Sequence, residues 1–316
     1  MRAGARACRA GVSYTPWEAA VRLHLVDGTY ELFRAYYSRR PPHRTGGRDL
    51  KATVGLAGSM LALLHDRDEA VSHVAIAFDN PIRSIRNDWF AGYKSDDGVA
   101  PELLAQLNLA EEAARALGLV VWSMARYEAD DALATAAARW RDRVDQVRLL
   151  TPDKDLGQSI VGQRVVLVDR MRRRTIDEAE LSRTRGVRPE SIPDWLALVG
   201  DAADGLPGIT GFGEKSSAAL LRAFVHLEAI PAEPRAWPAT VRQADRLART
   251  LASEMASALF YRKLATLFED VPLPDCLEDL EWTGVPRRPF EEWCARVDAS
   301  DLRDRYASTL RVRPDR

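Results

Sequence analysis

The stretch "QVRLLTPDKD", residues 146–155, decides the fold. A short apolar run, Val147, Leu149 and Leu150, stops at Pro152 and gives way to Asp153 and Asp155. Apolar runs of this length, bounded by turn residues, fit a buried strand. Two earlier stretches repeat the pattern: "RLHLVDG", residues 22–28, ends in Asp27, and "HVAIAFD", residues 73–79, ends in Asp79. Between them run helical spacings such as Leu103, Leu107, Ala110, Ala114 and Leu117. Apolar strands alternating with helices predict an α/β fold, a mostly parallel central sheet flanked by helices. In such sheets ligands bind beyond the carboxyl ends of the strands, where each of these acids falls.

A further stretch, "YEADDALA", residues 127–134, crowds Glu128, Asp130 and Asp131 into four residues. An acid at a helix start gains a few tenths of a kcal/mol, and a single strand-end Asp is most often a cap or turn residue. Nine acids nevertheless gather at strand ends, helix starts and a glycine-rich loop: Asp27, Asp79, Glu128, Asp130, Asp131, Asp153, Asp155, Asp201 and Asp204. Converging on one sheet edge, they repel unless compensated. Oxygen ligands suit Mg²⁺ or Mn²⁺, and the absence of His and Cys from these motifs argues against zinc. Two such ions about 4 Å apart can activate a water and stabilise the leaving oxygen of a phosphodiester. The constellation predicts a metal-dependent nuclease.

The bulk properties agree. The 316 residues, 46% apolar and 29% charged, can bury a large core and hold two domains. No run of about 18 apolar residues predicts a membrane span. Residues 1–20 carry Arg2, Arg6 and Arg9 without the apolar segment of a secretory signal, and read as a disordered extension or an early start. Three scattered cysteines suit neither a disulfide framework nor a zinc site, so a reducing cytoplasm is expected. The formal net charge of −1 does not advertise nucleic acid, but metal-binding acids mask an equal number of cations. Of 45 basic residues only Lys51, Lys94, Lys154, Lys215 and Lys263 are lysine, which marks places where a compact ammonium is wanted.

From about residue 175 the pattern turns helical: "ESIPDWLALVG", a glycine-rich loop "DAADGLPGITGFG", then "EKSSAALLRAFVHL". Residues 229–238 are a proline-rich linker, and Val241 to Met255 mark a long amphipathic helix. "GITGFGEKSS" is not a nucleotide phosphate loop, because Glu214 breaks the required Gly-Lys-Ser. "RMRRR", residues 170–174, suits a phosphate track or a solvated turn equally well.

In order, "LVDGTY", "AFDNP", "YEADDALA", "TPDKDL" and "GDAADGLPGITGFGEKSS" resemble the 5′-nuclease (flap endonuclease) family over residues 22 to about 270. Its bacterial members include the N-terminal 5′→3′ exonuclease domain of DNA polymerase I and free-standing homologues. A chain of this length looks like the free-standing kind.

The resemblance implies a PIN-like nuclease core over residues 21–185 with a helical arch at about 83–105. A helix-hairpin-helix DNA-binding region over 186–228 and a helical region with a basic tail over 229–316 would follow. It implies two divalent cations: Asp27, Asp79, Glu128 and Asp130 around the first, Asp153, Asp155 and Asp201 around the second. Asp131 and Asp204 would ligate through water, and water would be the nucleophile. Arg86 and Lys94 in the arch would neutralise the scissile phosphate. Phe33 would stack on a base beside the cut, or else sit in the core. Gly208, Gly211 and Gly213 would let backbone amides meet a duplex phosphate, with Lys215 beside them and K⁺ held by hairpin carbonyls.

The implied substrate is DNA with 5′ flaps, nicks or 5′ ends, including RNA primers on DNA, cut by a nucleoid-associated monomer. The arch departs from the family pattern. Where polymerase-linked relatives continue "YK" with a further Arg, this chain has Ser95, Asp96 and Asp97. That substitution weakens the expected grip on a threaded strand. Two alternatives stand beside the nuclease: a DNA-junction binding protein with impaired cleavage, and a PIN-type ribonuclease. The hairpin element argues against the second.

Overall fold

The computed structural model describes residues 20–306 and 312–313. The expected extension before residue 20 and most of the basic tail lie outside the described residues. Strand β1 (Arg22–Asp27) leads into helix α1 (Gly28–Tyr36), a small hairpin of β2 (Arg44–Thr45) and β3 (Arg48–Asp49), α2 (Lys51–Leu64) and β4 (His73–Asp79). Helices α3 (Ile85–Trp89), α4 (Pro101–Leu104) and α5 (Leu107–Ala116) precede β5 (Val120–Met124), α6 (Ala129–Trp140) and β6 (Gln146–Leu150). Strands β7 (Val165–Asp169) and β8 (Arg174–Ile176) complete the sheet. Beyond them come α7 (Glu178–Arg185), α8 (Ile192–Val199), α9 (Glu214–Phe224), α10 (Ala244–Ala265), α11 (Arg287–Arg296) and α12 (Ser300–Tyr306).

The six-stranded sheet has the order β5-β4-β1-β6-β7-β8. Every neighbouring pair is parallel except β7 and β8. From β1 the chain builds outward through β4 and β5 on one side and through β6 and β7 on the other. The order therefore reverses between β1 and β6, and the crevice of a doubly wound sheet opens at such a reversal. Asp27 ends β1 and Asp153 follows β6, so the two flank it.

Alternation along the strands sorts side chains to two faces. Leu23 and Leu25, with Ala75, Ala77, Val147 and Leu149, join a core with α6 and α8. Val26, with Val74, Ile76, Phe78 and Leu150, joins the other core with α2, α5 and α11. Each such Val, Leu, Ile or Phe side chain, fully buried, contributes about 1.5–3 kcal/mol of transfer free energy. Both faces are covered, which explains the near-continuous apolar runs in the sequence.

The expected arch takes a different form. Residues 83–105 hold only α3 and α4, of five and four residues, and the loop between them lies against the 201–206 loop. The Lys94 amide donates to the Asp204 carbonyl at 3.0 Å. Gly205, at φ +74°, has its backbone against Gly92, where a Cβ would come within 1.9 Å of the Gly92 carbonyl oxygen. The helical spacing read through residues 103–117 is also interrupted, because Gln106 turns inward and accepts hydrogen bonds from the Thr53 amide and hydroxyl.

Candidate metal centre

Local rules and the site use the same acids. Asp27 caps α1, its Oδ1 accepting from the Tyr30 amide at 2.8 Å and its Oδ2 from the Thr151 hydroxyl at 3.1 Å. Asp79 Oδ1 accepts from the Ala129 amide at 2.7 Å, which ties the end of β4 to the start of α6. Glu128 is the N-cap of α6. Asp130, in the first turn of that helix, is buried, and its carboxylate makes no hydrogen bond or ion pair among the described residues.

These four acids stand close enough to perturb one another. Burial raises the Asp27 carboxyl to about 7, with further push from Asp79 and Asp153. Burial raises Asp79 as well, against the pull of Lys94. Asp130 is raised well above its ordinary value by burial and then by Asp153 and Asp27. Glu128 goes the other way. Burial pushes it up, but the Lys94 and Arg86 cations overcome this and hold it down to about 2.

Asp153, Asp155, Asp201 and Asp204 form the other half. Asp155, Asp201 and Asp204 each offer a carboxylate oxygen within 4.8 Å of the others. Asp155 Oδ1 is buried without a hydrogen-bond partner. Burial, then Asp153, Asp204 and Asp201, raise the Asp155 carboxyl well above its ordinary value. Asp153 is raised by burial too, and its Oδ1 accepts from the Asp155 amide at 2.9 Å. A largely buried cluster of four acids with an unpartnered oxygen carries more negative charge than nearby cations offset, and an all-oxygen donor set fits a hard divalent cation.

Two lysines stitch the centre together. Lys94 Nζ lies 3.0 Å from Glu128 Oε2 and 3.2 Å from Asp204 Oδ1, bridging the two halves. Lys154 Nζ lies 2.7 Å from Asp201 Oδ2. Lys154 was not expected in the site, although the scarcity of lysine pointed to it. Ser84, Tyr93 and Thr151 were also missed. Ser84 donates to Glu128 at 2.7 Å and Tyr93 does so at 3.3 Å. Single hydroxyls far along the chain carry no sequence signal.

Arg86 and Asp131 correct the expectation. Arg86 is 0% exposed and its guanidinium spends all five donors inside the protein. It is bidentate to Asp131 at 2.7 Å on both nitrogens and reaches Glu128 Oε1 at 3.1 Å. It also donates to the carbonyls of Leu264 at 2.8 Å and Thr266 at 2.9 Å. Asp131, also 0% exposed, accepts the Glu128 and Phe268 amides besides Arg86. Its four lone-pair directions are filled, so it offers none to a water-bridged ion, and Arg86 offers no donor to a phosphate. The pair anchors the start of α6 to the segment after α10.

The remaining expected residues divide. Phe33 is half-buried on α1 and packs against the core. Gly208 is a packing position rather than an open one, since a Cβ there would lie 2.6 Å from the Gly200 nitrogen. Gly211, at φ +90°, is exposed with Arg246 nearby. Gly213 is the N-cap of α9, and a Cβ on it would meet nothing within 4 Å. Lys215 is exposed in the first turn of α9. Among the described residues, no helix is long and apolar enough to cross a membrane.

An acidic, oxygen-only centre at the switch point of a parallel sheet, beside a glycine hairpin that opens a helix, defines a metal-dependent nuclease. Comparison with known proteins narrows the class. Residues 22–186 match the 5′-3′ exonuclease N-terminal resolvase-like domain and residues 187–288 match the 5′-3′ exonuclease C-terminal SAM fold. The chain belongs to the 5′-3′ exonuclease family.

DNA polymerase I of Mycobacterium leprae is 31% identical over 301 residues, which are 93% of this chain and 32% of that polymerase. The chain thus spans about a third of such relatives. The 5′-3′ exonuclease of Aquifex aeolicus is 29% identical over 260 residues, 82% of this chain and 86% of that protein. Among solved structures, bacteriophage T5 flap endonuclease in a pseudo-enzyme–product complex with DNA and metal ions superposes with a TM-score of 0.62. It shares 16% identity over 91% of this chain and 97% of that one, a likeness of fold.

Proposed function

We propose that this nuclease is structure-selective, hydrolysing DNA phosphodiesters at 5′ flaps, nicks and 5′ ends and leaving 5′-phosphorylated products. Primer removal and DNA repair are the processes it would serve, in the cytoplasm at the nucleoid and as a monomer. One observation carries the reading. Eight carboxylates converge on the sheet's switch point, and one of them, Asp155, has a buried oxygen without a hydrogen-bond partner, while burial and neighbouring acids raise Asp130 well above its ordinary value. The support from the T5 complex is that a protein of this fold was captured with DNA and metal ions.

In this reading Asp27, Asp79, Glu128 and Asp130 hold one divalent cation, Mg²⁺ or Mn²⁺. Asp153, Asp155, Asp201 and Asp204 hold the second. Bound there, the ions supply a water nucleophile at neutral pH and charge to stabilise the leaving oxygen. The chain's own groups do the rest. Lys94, on a loop tied to Asp204, offers an ammonium at the boundary of the two clusters, where charge on a scissile phosphate builds. The exposed backbone at Gly211 and the open backbone at Gly213, with Lys215, meet a duplex phosphate, and hairpin carbonyls hold K⁺. Phe33 keeps the partial exposure that stacking on a base needs. Residues 21–185 then form the nuclease core, 186–228 the hairpin region and 229–316 the helical remainder.

The exposed Asp96 and Asp97, in a loop where the family resemblance implies a further Arg, favour a second reading, junction binding with impaired cleavage. A double-flap DNA labelled at the 5′ end and on the template separates the two. Incubated with Mg²⁺ or Mn²⁺, it is cut near the flap base by the parent chain. An Asp153→Ala variant, or the parent in chelator, leaves it whole. Tight binding without cutting under either metal would sink the nuclease.

A further inference from the structure

A cleft of about 570 Å³ opens beside the metal centre. Asp153 and Lys154 line it together with Glu214 and Lys215 of α9, so one cleft touches both the acids and the hairpin helix. Seven cationic and three acidic side chains line it. Four of the cations are already engaged by carboxylates. Arg172 pairs with Asp169, Arg174 and Arg183 with Glu180, and Lys154 with Asp201. Arg185, Lys215 and Arg222 have no carboxylate partner among the described residues.

Two of these three are oriented by a neighbour. The Arg185 guanidinium lies over the Trp195 ring, 5.3 Å from its centroid. Arg222 Nε donates to the Gly186 carbonyl at 3.3 Å, and a Cβ on Gly186 would come within 2.8 Å of its Nη2. Gly186 caps α7 at φ +76°, so the same residue ends that helix and makes room for the guanidinium. Trp195 is only 2% exposed, and its indole Nε1 has no hydrogen-bond partner. Pre-positioned arginines without acids form a field that attracts anions, and guanidinium pairs well with phosphate oxygens.

We propose that this cleft is a phosphodiester track, in which Arg185, Arg222 and Lys215 hold successive backbone phosphates of one strand between the scissile bond and the hairpin. The inference rests on the nuclease reading for the identity of its ligand. A polynucleotide is favoured over a free phosphate because the same cleft takes in Asp153 of the metal centre, the start of α9 and three cations without carboxylate partners.

The test uses the full chain and an Arg185→Gln/Arg222→Gln variant, with Arg188→Gln as a control outside the cleft. Binding of a duplex with a 5′ overhang is followed by fluorescence anisotropy in chelator across a salt series. Losing two phosphate contacts should lower the slope of log K against log salt by about 1.8, and raise KM with Mg²⁺ roughly ten- to a hundredfold while kcat holds. Arg185→Gln alone should lower the slope by about 0.9, which keeps the test alive if the double variant fails to fold.

Inorganic phosphate and deoxynucleoside monophosphates, added as competitors, should displace the duplex equally from parent and variant. Displacement confined to the parent would mark a free-phosphate pocket and overturn the track. An unchanged slope, or a fall in kcat at constant KM, overturns it as well. The two readings fail separately. A chain that never cuts but shows the slope change keeps the track, whereas normal cutting with an unchanged slope discards only the track.

Discussion

Replacing Arg86 tells a buried clamp from a phosphate contact. In Arg86→Ala, Asp131 keeps its two backbone amides but loses two charge-assisted bonds at a site with 0% exposure. The Leu264 and Thr266 carbonyls lose their Arg86 partner, and Glu128 loses one of its cations. Breaking a buried ion pair from one side costs about 3–5 kcal/mol, and each carbonyl left unpaired adds about 1–3 kcal/mol. At roughly 2–4 °C per kcal/mol for domains approaching this size, the melting temperature should fall by at least about 10 °C.

Scanning calorimetry in chelator measures that fall, and single-turnover cleavage at low temperature, where both proteins are folded, measures the chemistry. Arg86→Lys should recover only part of the stability, because a point ammonium cannot reproduce the bidentate pair. Arg86→Met combined with Asp131→Leu should recover more than Arg86→Ala retains, since no charge is left stranded. A melting temperature within about 2 °C of the parent, together with a hundredfold loss of cleavage in Arg86→Ala, would refute this reasoning and return Arg86 to the phosphate.

The other predictions concern the metal centre and its scaffold. Asp27 is raised from 3.8 to about 7, so between those values the unfolded chain has released this proton while the folded chain keeps it. Stability of the metal-free protein should therefore fall as pH rises through that window, by about 4 kcal/mol from this group. Mg²⁺ should accordingly raise the melting temperature more at pH 8 than at pH 5, and an equal gain at both would contradict it. Asp155→Asn should abolish cleavage yet raise the melting temperature in chelator, because it removes a buried charge crowded by Asp153, Asp201 and Asp204. A lower melting temperature would assign Asp155 a structural role. Gly205→Ala forces a side chain at φ +74° into the Gly92 carbonyl, so urea unfolding should show a loss of at least about 1–2 kcal/mol from backbone strain alone. Unchanged stability would mean the loop carrying Lys94 moves freely.

Periodicity and punctuation were enough to read the framework. Three short apolar runs ending in acids are β1, β4 and the stretch through β6. Ser, Gly and acidic residues mark the starts of α6 and α9 where they occur. These features are local, set by which residues fit a buried strand or satisfy a helix end, so they are visible in the order of residues. That Asp27, Asp79 and Asp153 share one edge was likewise legible, because the carboxyl ends of strands in a parallel sheet lie together.

Tertiary packing decided what each charge faces. Arg86 and Lys94 stand eight residues apart with equal claim to a phosphate. Enclosure by Phe268, Leu264 and Asp131 turned one into a clamp, and a loop laid on Asp204 left the other bridging the two acid clusters. Gly208 and Gly213 likewise look equivalent in the sequence, yet one is pressed against Gly200 and the other lies open. The work a charge or a glycine does depends on the desolvation and the neighbours supplied by distant segments, and those distances exist only once the sheet has closed on its helices.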